Sequence, residues 1–361
     1  MTTNRLLKLR QELEKREVDA IFISQPGNRY YLSGFTGSDG YLFVTAKDAL
    51  LAADFRYYEQ VKQQAPLFAL FEVKGRTEEW FPRLVEGHNI RRMGFESPNV
   101  TFTFYQELTN VINKNALGIQ LIPLENTVEK LRGIKDPEEI EYIQRAAELG
   151  DKAFDAVTAK LKPGITELQL AWELEKTMRE AGSQSIPFGI IVASGPNAAM
   201  PHHGPCDRPI NRGEPVVIDM GAKFKYYGSD LTRTICIGKP DDTFRKIYDI
   251  VLRAQEAAIN GIRAGMNGIQ ADELSRSIIS AAGYGNMFGH GLGHGVGLAT
   301  HDPAPRLSPL ATTEELTDGM VFSIEPGIYL PEWGGVRIED LAVMENGRVK
   351  LLSHARKWHD K

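Results

Sequence analysis

Lys162-Pro163-Gly164-Ile165-Thr166 returns 101 positions later as Arg263-Ala264-Gly265-Met266-Asn267. At the same offset Ala153 matches Ala254, Ala156 matches Ala257, Gln169 matches Gln270, and Ala181-Gly182 matches Ala282-Gly283. Each copy reads as helix, glycine turn, helix, glycine stop, then strands. Chance matches between helices are common, and this repeat is weak. Taken as real, it predicts two αβ halves related by a pseudo-two-fold. A site between such halves draws residues from both.

Working outward, Asp136-Pro137-Glu138-Glu139 opens a helix with three agreeing signals. Asp136 is a good N-cap, Pro137 takes the first helical position, and Glu139 completes a capping box. Ile140, Ile143, Ala147 and Phe154 then mark one face. A boundary between Pro123 and Asp136 divides the chain into domains 1–130 and 131–361. In the first, residues 3–17 form an amphipathic helix on Leu6, Leu9 and Leu13. Asp19 to Ile23 is a short buried strand, and Pro26-Gly27-Asn28 is a turn. Tyr41 to Thr45 and Ala49 to Ala52 are strands around a turn at Lys47-Asp48. The first domain is a small mixed α/β unit.

The composition bounds the function classes. The 361 residues correspond to about two domains. With 42% hydrophobic and 25% charged residues, disorder, a collagen-like fibre and a coiled-coil rod are excluded. A net charge of −5 offers no global field for nucleic acid or an anionic membrane. The two cysteines, Cys206 and Cys236, make no disulfide framework and fit a reducing compartment. Residues 1–18 lack the apolar core of a signal peptide, and no run approaches 18 apolar residues. The expectation is a soluble cytoplasmic protein.

Carboxylates and histidines concentrate in the second domain. Pro215 to Gly221 and Gly228 to Ile235 read as two strands. A hairpin turning at Phe224-Lys225 sets Asp219 directly opposite Asp230 on one face. Like charges so placed destabilise a sheet, and a bound cation removes the penalty. Two solvated aspartates are the blander reading. Val321 to Glu325 and Val336 to Asp340 carry a second acidic pair, Glu325 and Glu339. A glutamate buried in a strand needs a partner, and Arg337 shares the face of Glu339. A structural Arg–Glu pair accounts for these residues equally well.

Phe288-Gly289-His290-Gly291-Leu292-Gly293-His294-Gly295-Val296-Gly297 has glycine at every second position, which forbids a stable helix. Four extended residues span about 13 Å, so His290 and His294 cannot both ligate one small cluster. The glycines permit close backbone approach. No phosphate-binding glycine spacing, HExxH, GxSxG or CxxC occurs. The assembled set is Asp219, Asp230, His294, Glu325 and Glu339. Its four carboxylates balance two divalent cations, and oxygen ligation with one imidazole suits Mn, Co, Fe or Zn. Two such ions can share a water and polarise a carbonyl.

These segments resemble the pita-bread metallopeptidase family, which contains Xaa-Pro aminopeptidase, prolidase and methionine aminopeptidase. Met200-Pro201-His202 resembles the segment with the family's substrate-side histidine. His202 has the family spacing to Asp219 and is preferred to His203. Asn28 to Ser38 and Ala53 to Tyr57 are similar to the amino-terminal domain of the Xaa-Pro peptidases. The resemblance covers nearly the whole chain. It implies an α/β (α+β) protein, with a creatinase/prolidase-like amino-terminal domain before a pseudo-two-fold pita-bread catalytic domain.

The same resemblance implies two divalent metal ions, Mn foremost, held by Asp219, Asp230, His294, Glu325 and Glu339. It makes Glu325 a proton acceptor and has His202, His290 and His301 line the substrate site. Arg337 supports the ligands or meets a substrate carboxylate. The implied activity is hydrolysis between an N-terminal residue and proline, Xaa-Pro aminopeptidase-like, with prolidase as the alternative. The implied partners are a peptide with proline second and a second copy of the chain, with no nucleic acid and no membrane. A metal-independent creatinase-like hydrolase and a non-catalytic binding protein share the fold. Creatinase-type members lack the full ligand set, and a binding protein is expected to lose ligands; none is missing here.

Overall fold

The computed structural model describes residues 2–311 and 314–358, in two compact units, Met1–Arg132 and Gly133–Lys361. The first unit contains α1 (Thr2–Lys15), β1 (Ala20–Ile23), α2 (Pro26–Ser33), β2 (Tyr41–Thr45), β3 (Ala49–Ala53) and α3 (Tyr58–Gln64). β4 (Ala69–Glu72), α4 (Thr77–Val85), β5 (Arg92–Glu96), α5 (Phe102–Lys114) and β6 (Gln120–Leu124) follow, then α6 (Thr127–Gly133). The strands form one mixed sheet in the order β4-β3-β2-β1-β5-β6.

Leu6, Leu9 and Leu13 of α1 are buried, each worth about 2 kcal/mol of apolar burial. The Pro26-Gly27-Asn28 stretch, expected as a turn, instead starts α2. Pro26 fills the first helical position, and the Gln25 side chain accepts from the Asn28 amide. A cap outside the usual Ser/Thr/Asp/Asn set hid this helix start.

The second unit opens with α7 (Pro137–Thr158), whose Asp136–Glu139 capping box is formed in full. α8 (Glu167–Glu180), β7 (Ile191–Ser194) and β8 (Pro215–Met220) come next. β9 (Lys223–Phe224) and β10 (Tyr227–Gly228) make a small hairpin leading into β11 (Leu231–Cys236). Then come α9 (Asp242–Gly261), α10 (Gly268–Ala281), β12 (Gly293–Gly295), β13 (Asp302–Leu307), β14 (Val321–Ile324) and β15 (Gly327–Leu330). β16 (Gly334–Arg337), β17 (Asp340–Glu345) and β18 (Arg348–Leu351) close the unit.

The repeat is present in three dimensions. α8 and α10 begin and end at positions related by the same offset as Gly164 and Gly265. Thr166 and Asn267 cap them, each in a capping box closed by its matching glutamine, Gln169 or Gln270. Gly164, Gly182, Gly265 and Gly283 all take positive φ, where glycine is favoured. Each helix pair packs on its own antiparallel sheet, β11-β8-β7 in the first half and β13-β12-β14-β17-β18 in the second. Among the described residues no helix is long and apolar enough to cross a membrane.

Candidate metal centre

The first acidic pair rests on the β8–β11 ladder. Its register differs from expectation: Asp219 stands opposite Thr232, and Met220 opposite Leu231. The turn is Lys225-Tyr226, with φ of 49° and 71°. Two positive φ values suit the inverse turns that match hairpin twist, and Tyr226 tolerates one without glycine. The ladder is therefore centred one residue further along. Asp230 precedes Thr232 by two, so Asp219 and Asp230 lie on one face as diagonal neighbours.

Glu325 and Glu339 occupy the breaks where one pair of strands hands over to another. β14 pairs with β17 and β15 with β16, leaving Glu325 and Glu339 between the ladders. Their amides are still satisfied, Glu325 by the Leu292 carbonyl at 2.8 Å and Glu339 by the Thr232 carbonyl at 3.0 Å. His294 lies in β12, where the glycines do what their spacing suggested. A Cβ at Gly293 would sit 1.9 Å from the Ser323 carbonyl oxygen, and one at Gly295 2.3 Å from that of Ala304.

Ligand atoms of Asp230, His294 and Glu339 all fall within 4.8 Å of one another. His294 Nε2 is 3.7 Å from Asp230 Oδ2 and 3.3 Å from Glu325 Oε1. Asp219 joins the group through Arg337, whose Nη2 donates to Asp219 Oδ2 at 2.7 Å. The expected Arg337–Glu339 pairing is replaced by this one. Arg337 is buried, and its Nε and Nη1 donate to Thr232 Oγ1 and Tyr329 Oη at 3.1 and 3.0 Å. Glu339 takes its hydrogen bond from Thr232 Oγ1 at 2.7 Å.

The electrostatics are those of a site built around positive charge. Burial, then the neighbouring Glu339, Asp219 and Glu325, pushes the Asp230 carboxyl well above the usual carboxylate range. Glu339 is raised well above its ordinary value by burial and by Glu325 and Asp219. Burial also raises Glu325, against the opposing pull of His290 and Arg337. Buried Asp219 Oδ1 has no hydrogen-bond partner. Burial lowers the pKa of His294 from its ordinary value, against the Gly295 carbonyl and Asp219. Its Nδ1 donates to the Gly295 carbonyl at 3.1 Å, so the Nε2 lone pair faces two carboxylates. Lone pairs converging on an orphaned oxygen and three crowded carboxyls fit divalent cations.

The centre lines a cavity of about 1150 Å³ that His202, His203, His290, His301 and Arg337 also reach. The His301 ring centroid lies 4.0 Å from that of His294, with the two planes tilted by 37°. Both nitrogens of His290 are engaged, Nδ1 with the Gly291 carbonyl and Nε2 with Tyr329 Oη, each at 2.8 Å. Tyr329, Thr232 and Ser323 were not among the expected site residues. Ser323 Oγ accepts from the His294 amide and donates to Glu325 Oε1, both at 3.0 Å.

Residues 141–346 match the model of metallopeptidase family M24. The chain belongs to this family. Residues 5–134 match the creatinase/prolidase N-terminal domain. An uncharacterised peptidase of Bacillus subtilis is 41% identical over 98% of both chains. The solved Xaa-Pro dipeptidase from Bacillus anthracis is 37% identical, with a TM-score of 0.94 over 99% of both chains. The X-Pro aminopeptidase from Thermotoga maritima is 33% identical, with a TM-score of 0.88 over 96% of this chain and 98% of that one. The second unit has the pita-bread fold of these M24 enzymes, and the protein is a metallopeptidase that uses divalent metal.

Proposed function

We propose that this M24 peptidase hydrolyses the bond between an N-terminal residue and proline. The observation that carries the reading is the meeting of Asp219, Asp230, His294, Glu325 and Glu339 on the wall of one cavity. The names of the similar solved enzymes support the proline specificity. The sequence resemblance points to the aminopeptidase form. The higher similarity to the Bacillus anthracis dipeptidase favours the dipeptide form as a second reading.

Those five residues hold two cations in the proposed mechanism. Cations bound there supply Lewis acidity to the scissile carbonyl and lower the pKa of a water. Glu325 takes the proton of the attacking water on its carboxylate. Ser323 Oγ orients that carboxylate. His202 and His301 steady the developing oxyanion from the cavity side, and His290 acts in series with Tyr329. Arg337 supports the ligands by fixing Asp219. Manganese and a homodimer complete the proposal on the family resemblance, and a cytoplasmic location on the two lone cysteines and the charged first 18 residues.

The test is hydrolysis of an Xaa-Pro dipeptide and an Xaa-Pro-Yaa tripeptide on metal-stripped protein, with and without Mn. Cleavage of the dipeptide alone assigns the dipeptidase form, and cleavage of the tripeptide the aminopeptidase form. Silence on both overturns the proline specificity. Activity that ignores metal overturns the mechanism.

A further inference from the structure

Glu167, His203 and Cys206 bring three different kinds of ligand atom within 4.8 Å of one another. None of them belongs to the five-residue centre. We propose that these three side chains form a further site for one divalent cation of the zinc class.

The Glu167 carboxylate is sealed from water at the start of α8. Its Oε1 accepts from the Ser194 amide and Ser194 Oγ, both at 2.7 Å, which presets its orientation. The other oxygen, Oε2, lies 2.8 Å from His203 Nε2 and 3.1 Å from Cys206 Sγ. Zinc binds sulfur at about 2.3 Å and nitrogen or oxygen at about 2.0–2.2 Å in tetrahedral geometry, which spaces ligand atoms by about 3.3–3.6 Å. A spreading of about half an ångström therefore admits the ion.

The donor set selects the metal. One sulfur, one imidazole and one carboxylate suit zinc and disfavour magnesium or calcium. On binding, the Sγ–H bond breaks, its proton leaves to solvent, and the sulfur pair goes to the ion. His203 coordinates through Nε2 with its proton on Nδ1. Thiolate and carboxylate then neutralise the charge of the cation. Asn197 Nδ2 points at Cys206 Sγ from 3.7 Å, a donor placed for a thiolate. Three protein ligands leave a fourth position open. His202 lies in the chain between Ser194 and Cys206, so an occupied site pins the segment that carries it.

The test is optical and does not use turnover, so its failure is separate from failure of the proposed activity. The five-residue centre, which has no sulfur, is filled with manganese, and cobalt(II) is then titrated. The expected result is a near-ultraviolet thiolate-to-cobalt band that saturates at one equivalent and is bleached by zinc. It should vanish in Cys206→Ser, weaken in His203→Asn and persist in Cys236→Ser. Absence of the band overturns the proposal, as does a band that survives Cys206→Ser or disappears with Cys236→Ser.

Discussion

The Thr232 hydroxyl donates to the Glu339 carboxylate across 2.7 Å, and both side chains are shut away from water. The same oxygen accepts from Arg337 Nε. Thr232→Val removes both hydrogen bonds at once, leaving the Glu339 and Arg337 atoms unpaired, with little change of shape. Leaving buried polar groups unpaired costs about 1–3 kcal/mol. Loss of an orienting partner weakens metal affinity about 10- to 100-fold. Denaturant unfolding and metal titration check the two effects, and a variant normal in both contradicts the role given to Thr232.

The raised carboxyls predict a pH dependence with a definite sign. In metal-free protein Asp230 and Glu339 bind protons more tightly folded than unfolded. Their contribution therefore favours folding below the ordinary carboxylate pKa and is lost as pH rises toward the elevated folded values. Chelated Asp230→Asn should consequently be more stable than chelated parent at neutral pH, with the gap closing in acid. With metal present the order reverses, and the variant loses at least one cation by elemental analysis. Equal melting temperatures for the two chelated proteins at neutral pH would remove the argument.

Tyr329 joins Arg337 to His290. Tyr329→Phe leaves His290 Nε2 without a donor and Arg337 Nη1 with only the Pro201 carbonyl, 3.4 Å away. The expected result is a fall in kcat of about 10- to 100-fold with metal content intact. Steady-state kinetics beside elemental analysis separate this from loss of the centre. A fall confined to metal content would make Tyr329 a ligand support instead.

Two glycines of the histidine block should behave oppositely. Gly293→Ala places a methyl 1.9 Å from a backbone oxygen, whereas a Cβ at Gly289 meets nothing within 4 Å. The first substitution should cost about 3 kcal/mol or more. The second should stay within about 0.5 kcal/mol of parent. Thermal unfolding of the pair is the check.

The ligand-type residues were legible because their chemistry is rare in strands. A glutamate ahead of Pro326-Gly327 and aspartates flanking a hairpin stand out against apolar neighbours. The hairpin register was not legible, because it depends on Tyr226 accepting a positive φ that sequence would assign to glycine or asparagine. Thr232, Ser323 and Tyr329 were missed because hydroxyl residues are ordinary in strands. Strand parity could have found Thr232, which shares the face of Asp230. The start of α2 was missed because its cap is a glutamine. The Arg337 partner was misassigned because same-strand proximity was weighed above a cross-sheet reach to Asp219.

The two halves of the repeat divide the centre between them: Asp219 and Asp230 come from one, and His294, Glu325 and Glu339 from the other. The stretch from Asp230 to His294 includes all of α9 and α10. An unfolded chain must close that long loop before the ligands can meet, and loop closure opposes it. Assembly therefore runs from scaffold to cofactor. On this argument a denatured chain refolded in chelator should recover its native circular dichroism, and metal added afterwards should bind without a further change in it.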